Sequence, residues 1–163
     1  MKTIILFRHG QTANGDFNRD IDRPLSLIGI KDVKKMGLYL SQNEDVPDIV
    51  ISSPALRTKT TAEIAITNGK WNCPMHIEAG IYGGAPSFIL NLANNQNDDL
   101  SSICLIGHEP NFSSFIAQIT NDKYQKFPTA SMAKVAFDLE KWSHLTFGSG
   151  KLDWIKRVQD LEN

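Results

Sequence analysis

Three short runs rich in apolar residues constrain the fold of this chain more than any other feature. They lie within residues 3–7, 48–52 and 102–106, and their apolar side chains follow one another without polar alternation. A strand of this kind needs cover on both faces, which is typical of parallel sheets packed between helices. The sequence therefore predicts an α/β fold, a three-layer α/β/α sandwich with a mostly parallel central sheet.

Helices are predicted between these strands from apolar residues that recur at intervals of three or four. Ser26 is a candidate cap for a helix that continues to Leu40. Ser53 and Pro54 are typical of an N-cap followed by proline at the first helical position, so a second helix is predicted to follow them. Two further helices are predicted at residues 86–93 and 111–119, and three further strands at residues 75–77, 132–139 and 151–154.

Length and charge exclude several classes of protein. The chain has 163 residues, which suits one domain, so we assign residues 1–163 to a single domain. Its formal net charge is -1 at pH 7. Because there is no basic excess, binding to nucleic acid is not expected, although a local cluster of cations could still bind one small anion.

Cysteine usage and hydropathy indicate the compartment. Cys73 and Cys104 belong to no CxxC pair, so we interpret them as packed thiols in a reducing compartment. The apolar run at residues 4–7 is shorter than the core of a secretion signal, and no stretch approaches the ~20 apolar residues of a membrane span. We therefore predict a cytoplasmic protein with no membrane partner. The absence of long exposed apolar helices favours a monomer.

Residues whose side chains could take part in catalysis or bind an anion follow each of the three apolar strands. Arg8 and His9 follow the first strand, a helix carrying Arg57 follows the second, and His108 follows the third. Ligands bind outside the carboxyl ends of the strands in open α/β sheets, so parallel strands would bring these side chains to one edge. Taken singly, each has an ordinary explanation, because an arginine after a strand is usually solvated and a lone histidine is usually structural.

Two imidazoles and two or three guanidinium groups favour phosphoryl transfer. Arginine binds phosphate oxygens through two parallel hydrogen bonds and stays charged, and such cations stabilise the transition state. A neutral imidazole is able to act as the nucleophile and to divide hydrolysis into two steps through a phosphohistidine. A second imidazole is able to donate a hydrogen bond to the oxygens of the transferring group.

Three motifs resemble those of the histidine phosphatase superfamily, which has the phosphoglycerate-mutase-like fold. They are LFRHGQT at residues 6–12, SSPALRTKTTA at residues 52–62 and IGHEP at residues 106–110. The segment FPTASMAKVAFD at residues 127–138, with WSHL after it, is similar to the small bacterial SixA-like branch. That branch is known for phosphohistidine phosphatase activity on phosphotransfer domains.

The resemblance implies a role for each matching residue. His9 would be the nucleophile, and Arg8, Arg57 and His108 would form the phosphate pocket. Arg23 matches a further arginine that the SixA-like branch brings to the phosphate. The resemblance implies no cofactor and no metal ion.

A general acid is harder to assign. Asp20, in the loop before Arg23, is our first candidate, and Asp22 and Glu109 are the alternatives. The ordinary interpretation of each is a solvated carboxylate or an ion-pair partner of a pocket arginine. A missing acid is tolerable for the P–N bond of a phosphohistidine, because protonated phosphoimidazole is a good leaving group.

The chain differs from larger members of the superfamily at two places. Gly15 stands where many of them have asparagine, so that contact is not carried over. Many also bring a glutamate general acid from an inserted segment after the second motif, whereas only 51 positions separate Arg57 from His108. We therefore predict no large cap domain and an open pocket, which suits a phosphoryl group displayed on another protein.

The leading hypothesis is a metal-independent phosphatase that removes phosphate from phosphohistidine on a signalling phosphotransfer protein and releases inorganic phosphate. The alternatives are a phosphatase for small phosphomonoesters and a non-catalytic module that binds phosphate or a phosphoprotein. A mutase is less favoured because it would need a closed site. A zinc hydrolase would need a ligand signature such as HExxH, and the four histidines show none.

Overall fold

Six strands form one sheet in the computed structural model, which describes residues 1–161. They are β1 (Lys2–Arg8), β2 (Ile49–Ser52), β3 (Met75–Ile77), β4 (Ser102–Gly107), β5 (Met132–Phe137) and β6 (Lys151–Lys156). Their order across the sheet is β3-β2-β4-β1-β5-β6. The neighbours from β3 to β1 pair in parallel, and β5 is antiparallel to both β1 and β6. Five of the six strands therefore point the same way, which confirms the mostly parallel sheet.

Four α-helices cover the two faces of this sheet within residues 1–161. They are α1 (Leu27–Gln42), α2 (Leu56–Gly69), α3 (Pro86–Asn94) and α4 (Asn111–Thr120). Buried residues of α1 and α2 share one apolar cluster with the sheet, and those of α3 and α4 share the other. The predicted three-layer α/β/α arrangement is confirmed.

Strand β1 shows why a continuous apolar run requires two covering layers. Ile4 and Leu6 belong to the cluster under α3 and α4, while Ile5 and Phe7 belong to the cluster under α1 and α2. All four side chains are fully buried. Because successive residues of a strand point to opposite faces, each layer stabilises alternate positions, at about 1.5–3 kcal/mol for each buried side chain.

The start of α2 differs from the prediction. Its N-cap is Ala55, so Ser53 is not the cap and Pro54 is not the first helical residue. Ser53 Oγ accepts a hydrogen bond from the Ala55 amide at 3.3 Å, but the same oxygen also lies 2.8 Å from His108 Nε2. The predicted cap of α1 is confirmed, because the Ser26 side chain accepts from the Gly29 amide at 3.0 Å.

The parallel register brings three strand ends to one level. Arg8 pairs with Gly107 across β1 and β4, and Ser52 pairs with Ile106 across β2 and β4. The residues that follow these ends therefore share one edge of the sheet.

Helix α1 approaches this edge very closely. A Cβ atom on Gly10 would lie 2.8 Å from the Gly29 carbonyl oxygen, and a Cβ on Gly29 would lie 2.1 Å from the Gln11 carbonyl oxygen. Both positions need glycine for steric reasons. This contact fixes the loop that follows β1, and with it the position of His9.

None of the helices within residues 1–161 is long and apolar enough to cross a lipid bilayer.

Candidate active site

The shared edge of the sheet brings together the two histidines and the two motif arginines predicted from the sequence. The ring centroids of His9 and His108 lie 5.5 Å apart, and the rings are inclined by 55°. Their exposed fractions are 7% and 6%, and that of Arg57 is 9%. Four polar side chains from three parts of the chain thus meet at one place, where the two arginines supply positive charge.

The His9 ring is held with one nitrogen available. Its Nδ1 lies 2.7 Å from the Gly10 carbonyl oxygen. A carbonyl only accepts hydrogen bonds, so Nδ1 carries the proton and Nε2 keeps a free lone pair. The backbone is fixed as well, because the His9 amide donates to the Gly107 carbonyl and the His9 carbonyl accepts from the Ala130 amide.

Burial keeps both imidazoles neutral. Burial, together with the cations of Arg57 and Arg8, lowers the pKa of His9 to about 4. Burial and then the Arg57 cation lower the pKa of His108 to about 3. At neutral pH, His9 therefore has the unprotonated Nε2 that a nucleophile requires.

His108 is anchored through one nitrogen only. Its Nε2 lies 2.8 Å from Ser53 Oγ, and the Tyr82 ring packs edge-on against it with centroids 5.4 Å apart. Its Nδ1 is buried and has no hydrogen-bond partner among residues 1–161. Such a buried polar atom favours a ligand contact, because unsatisfied buried groups are rare in folded proteins.

Arg57 is held by a carboxylate on the loop after β1. Its Nη2 lies 3.0 Å from Asp20 Oδ2, and its Nη1 donates to the Asp20 carbonyl oxygen at 2.9 Å. The Tyr82 hydroxyl donates to the same Asp20 Oδ2 at 2.6 Å. Arg57, Asp20 and Tyr82 therefore form one network beside the two imidazoles.

Arg8 is the last residue of β1 and directly precedes His9, and its charge acts on both imidazoles. Its Nη1 donates to the Phe127 carbonyl at 3.0 Å, while its Nε is buried without a partner among the described residues. A cleft of about 470 Å³ adjoins Arg8 and is also lined by Tyr124, Lys126 and Arg157. Glu109 also lines this cleft, so its cations outnumber its carboxylate without being alone there, and the cleft is open to a ligand.

Arg23 occupies a more peripheral position than the other arginines. Its Nε lies 3.7 Å from Asp20 Oδ1, and its guanidinium lies 5.8 Å from the centre of the Phe17 ring. The side chain is more exposed than that of Arg57. Its contribution to phosphate binding stays a prediction.

Asp20 is better suited to holding Arg57 than to donating a proton. The hydrogen bond from Tyr82, followed by the contact with Arg57, lowers the pKa of the Asp20 carboxyl. An ionised carboxylate has no proton to give, which disfavours the predicted acid role. The alternative acids have partners too, since Glu109 Oε2 accepts from the Ser113 amide at 2.7 Å and Asp22 binds Arg19 at 2.8 Å.

We expect Asp20→Asn to retain phosphohistidine hydrolysis within roughly tenfold of the wild-type kcat, because asparagine keeps an oxygen for Arg57 and Tyr82. An essential acid would instead contribute roughly 10²–10⁴-fold. Steady-state kinetics on a histidine-phosphorylated protein will distinguish these cases. A loss of more than about a hundredfold in a folded variant would restore the acid role.

Tyr82 is a site residue that the sequence reasoning missed. It lies in the stretch IYGGAP at residues 81–86. Its phenol binds Asp20, and the Arg57 guanidinium lies 5.9 Å from its ring centroid. A tyrosine beside a turn gives no pattern by itself, so only the fold reveals the contact.

The described residues contain no group of three or more His, Cys, Asp or Glu side chains that could hold a metal ion.

Comparison with known families agrees with this geometry. Residues 4–82 match the model of the histidine phosphatase superfamily (branch 1), and this range contains Arg8, His9, Arg57 and Tyr82. The matched segment, nearly half of the chain, is similar to the histidine phosphatase superfamily, and this similarity supports a phosphatase activity.

Individual relatives give further detail. The uncharacterized protein Rv1276c of Mycobacterium tuberculosis is 28% identical over 136 residues, which cover 77% of this chain and 84% of the relative. The structure of SixA from Nakamurella multipartitia superposes with a TM-score of 0.83 at 21% identity, covering 96% of this chain and 95% of that one. The protein histidine phosphatase SixA complexed with tungstate superposes at 0.80 and 22% identity, covering 98% and 99%. The chain therefore shares the SixA fold over nearly its whole length.

Proposed function

We propose that this chain is a phosphatase with His9 as its nucleophile, and that its substrate is a phosphohistidine on a signalling phosphotransfer protein. The observation that carries the proposal is the state of His9. Its Nδ1–H is held by the Gly10 carbonyl, its ring is neutral, and its Nε2 is free beside Arg57 and His108. Binding phosphate alone would need the arginines but no oriented imidazole.

In the first step, the Nε2 lone pair of His9 attacks the phosphorus atom. The bond between phosphorus and the substrate imidazole breaks, and that imidazole, protonated on its other nitrogen, leaves as a neutral group. Positive charge develops on the His9 ring, and the Gly10 carbonyl at Nδ1 stabilises it. The guanidinium groups of Arg8 and Arg57 stabilise the charge on the phosphoryl oxygens.

In the second step, water attacks the phosphorus atom of the phosphohistidine on His9. The P–Nε2 bond breaks and the electron pair returns to Nε2. Inorganic phosphate leaves with the protons of the attacking water, which it exchanges with solvent. Covalent catalysis thereby replaces one difficult displacement by two easier ones. His9 returns to the neutral form with which it began.

A macromolecular substrate is supported by the small amount of chain available to cover the site. Residues 70–101 contain β3 and α3, which belong to the sheet and to its covering layer. On the α1 side, the apolar side chains of Leu27 and Ile28 border a cavity of about 700 Å³ that Gln11 and Thr12 also line. An exposed apolar border is typical of a surface that contacts another protein. A cytoplasmic location and a monomeric state belong to the same proposal and stay predictions.

A small phosphomonoester is the second candidate substrate, and one feature favours it. The cleft beside Arg8 has a volume of about 470 Å³, which lies in the range of small-molecule sites. Lys126 and Arg157 at its wall would suit a substrate with a second anionic group.

The test compares three substrates in the presence of a metal chelator. The first is a phosphotransfer domain that carries phosphohistidine, and the other two are the small esters phosphoserine and p-nitrophenyl phosphate. We expect kcat/KM for the phosphoprotein to exceed that for either small ester by at least about tenfold, because the site is open. A preference for phosphoserine would favour the small-molecule alternative. Loss of all activity on chelation would contradict the metal-independent mechanism, and no release from any substrate would leave a binding module.

A further inference from the structure

Helix capping does not explain the position of Ser53, because the N-cap of α2 is Ala55. Ser53 is fully buried just after β2, and its amide donates to the Ile106 carbonyl at 3.0 Å. Its own carbonyl accepts hydrogen bonds from Ser52 Oγ and Thr58 Oγ1, each at 2.9 Å. The residue is therefore fixed by the backbone and by its neighbours, and its hydroxyl lies 2.8 Å from His108 Nε2.

The hydrogen bonds around this hydroxyl decide where its proton points. One lone pair of Ser53 Oγ accepts from the Ala55 amide. If His108 Nε2–H also donated to Oγ, both lone pairs would be occupied, and the hydroxyl proton would have no acceptor among the contacts described. If the hydroxyl donates to an unprotonated Nε2, every group in the contact is satisfied. The second arrangement is therefore the stable one.

A neutral imidazole carries one ring proton, so an unprotonated Nε2 places the proton of His108 on Nδ1. That atom is buried and lacks a partner within residues 1–161. His9, whose Nε2 is the predicted nucleophile, lies directly across from the His108 ring. A donor in this position is arranged for the oxygen of a group that His9 attacks.

We propose that Ser53 is a positioning residue that fixes His108 as the Nδ1–H tautomer, so that Nδ1 donates to the phosphoryl group during transfer. The inference rests on the proposed function for its catalytic consequence, although the tautomer itself is a property of the free protein. Ser53 acts through His108 and does not itself touch the substrate.

The tautomer is measured directly by long-range ¹⁵N–¹H correlation NMR of the His108 ring at pH 7. The wild-type protein is expected to show a protonated Nδ1 and an unprotonated Nε2. Ser53→Ala should move the proton toward Nε2, and Ser53→Thr, which keeps the hydroxyl, should restore the wild-type pattern. Ser52→Ala is the matched control, because Ser52 is equally buried and adjacent, and the Ser53 carbonyl keeps its hydrogen bond from Thr58 when the Ser52 hydroxyl is removed.

Activity supplies the second measurement. Ser53→Ala should lower kcat by roughly 10–100-fold with a smaller change in KM, because a misplaced donor weakens the transition state more than the ground state. Ser52→Ala should stay within about twofold, since it leaves the contact with His108 intact.

Two results would overturn the proposal. A wild-type His108 protonated at Nε2 would do so whether or not any variant folds. An unchanged tautomer in a folded Ser53→Ala would also do so. A wild-type protein with the Nδ1–H tautomer and no phosphatase activity would instead contradict the proposed function, so the two failures are separable.

Discussion

Replacing His9 by glutamine is expected to lower phosphatase turnover by roughly 10³-fold or more, the largest loss that we predict for a single substitution. Glutamine keeps a polar group in the pocket but cannot form the P–N bond of the covalent intermediate. The arginines and His108 would remain in place to bind phosphate. We therefore expect the variant to bind inorganic phosphate with an affinity close to that of the wild-type protein.

His76→Gln is the matched control for this substitution. His76 is an exposed residue of β3, at the sheet edge away from β1. Its replacement also exchanges histidine for glutamine, but at a position outside the site. It should retain wild-type kcat within about twofold. Equal melting temperatures of the two variants near neutral pH will show that any difference in turnover arises in the site and not from unfolding.

A trapping experiment identifies the intermediate itself. Wild-type protein mixed with ³²P-labelled phosphohistidine substrate and quenched in base should carry a label that is lost in acid, which is typical of phosphohistidine. The label should be absent from His9→Gln and present in His76→Gln. Turnover by His9→Gln above about one hundredth of the wild-type rate would show that His9 is not the nucleophile.

The meeting of the four motif residues at one edge was predictable because it depends on topology alone. Each follows an apolar strand or begins the helix after it, and parallel strands must end on the same side of a sheet. The apolar runs also determined the layers, since Ile4 and Ile5 need cover from opposite faces. Neither inference required a side-chain rotamer.

The hydrogen bonds within the site could not be predicted in the same way. Asp20, Arg57 and Tyr82 are far apart in the sequence, and their contacts depend on how a loop folds over the edge of the sheet. Those contacts lower the pKa of the Asp20 carboxyl further and hold it on Arg57, so the choice of Asp20 as an acid could not be tested from the motif. Ser53 illustrates the same limit, because a Ser-Pro pair before a helix resembles a cap regardless of what its hydroxyl touches.

The arrangement that makes His9 a nucleophile has a cost in stability. Two neutral imidazoles lie buried near Arg57, where protonation of either ring would place like charges together. The unfolded chain has no such restriction, and its histidines titrate near their ordinary pKa of about 6.5. The native state therefore resists proton uptake over a range of pH in which the unfolded state accepts protons.

We accordingly expect the free energy of unfolding to fall steeply as the pH decreases from 6.5 toward 4. The pKa values of His9 and His108 are lowered to about 4 and about 3, so below pH 6.5 the unfolded state binds up to two more protons than the native state. Each proton contributes a slope of about 1.4 kcal/mol per pH unit, which gives a loss on the order of 5 kcal/mol by pH 4.5. A loss of that size is a large part of the stability of an ordinary domain.

Urea unfolding at several pH values in a buffer without phosphate measures this loss, since bound phosphate would itself stabilise the native state. His108→Gln removes one of the two buried imidazoles, so its stability should fall about half as steeply between pH 6.5 and 4.5, whereas His76→Gln should follow the wild-type curve. Identical slopes for His108→Gln and the wild-type protein would show that the imidazoles are not the groups that resist protonation. The same result would contradict the conclusion that burial keeps His9 neutral. Burial is the principal cause of the lowered pKa of both histidines, so the two should behave alike.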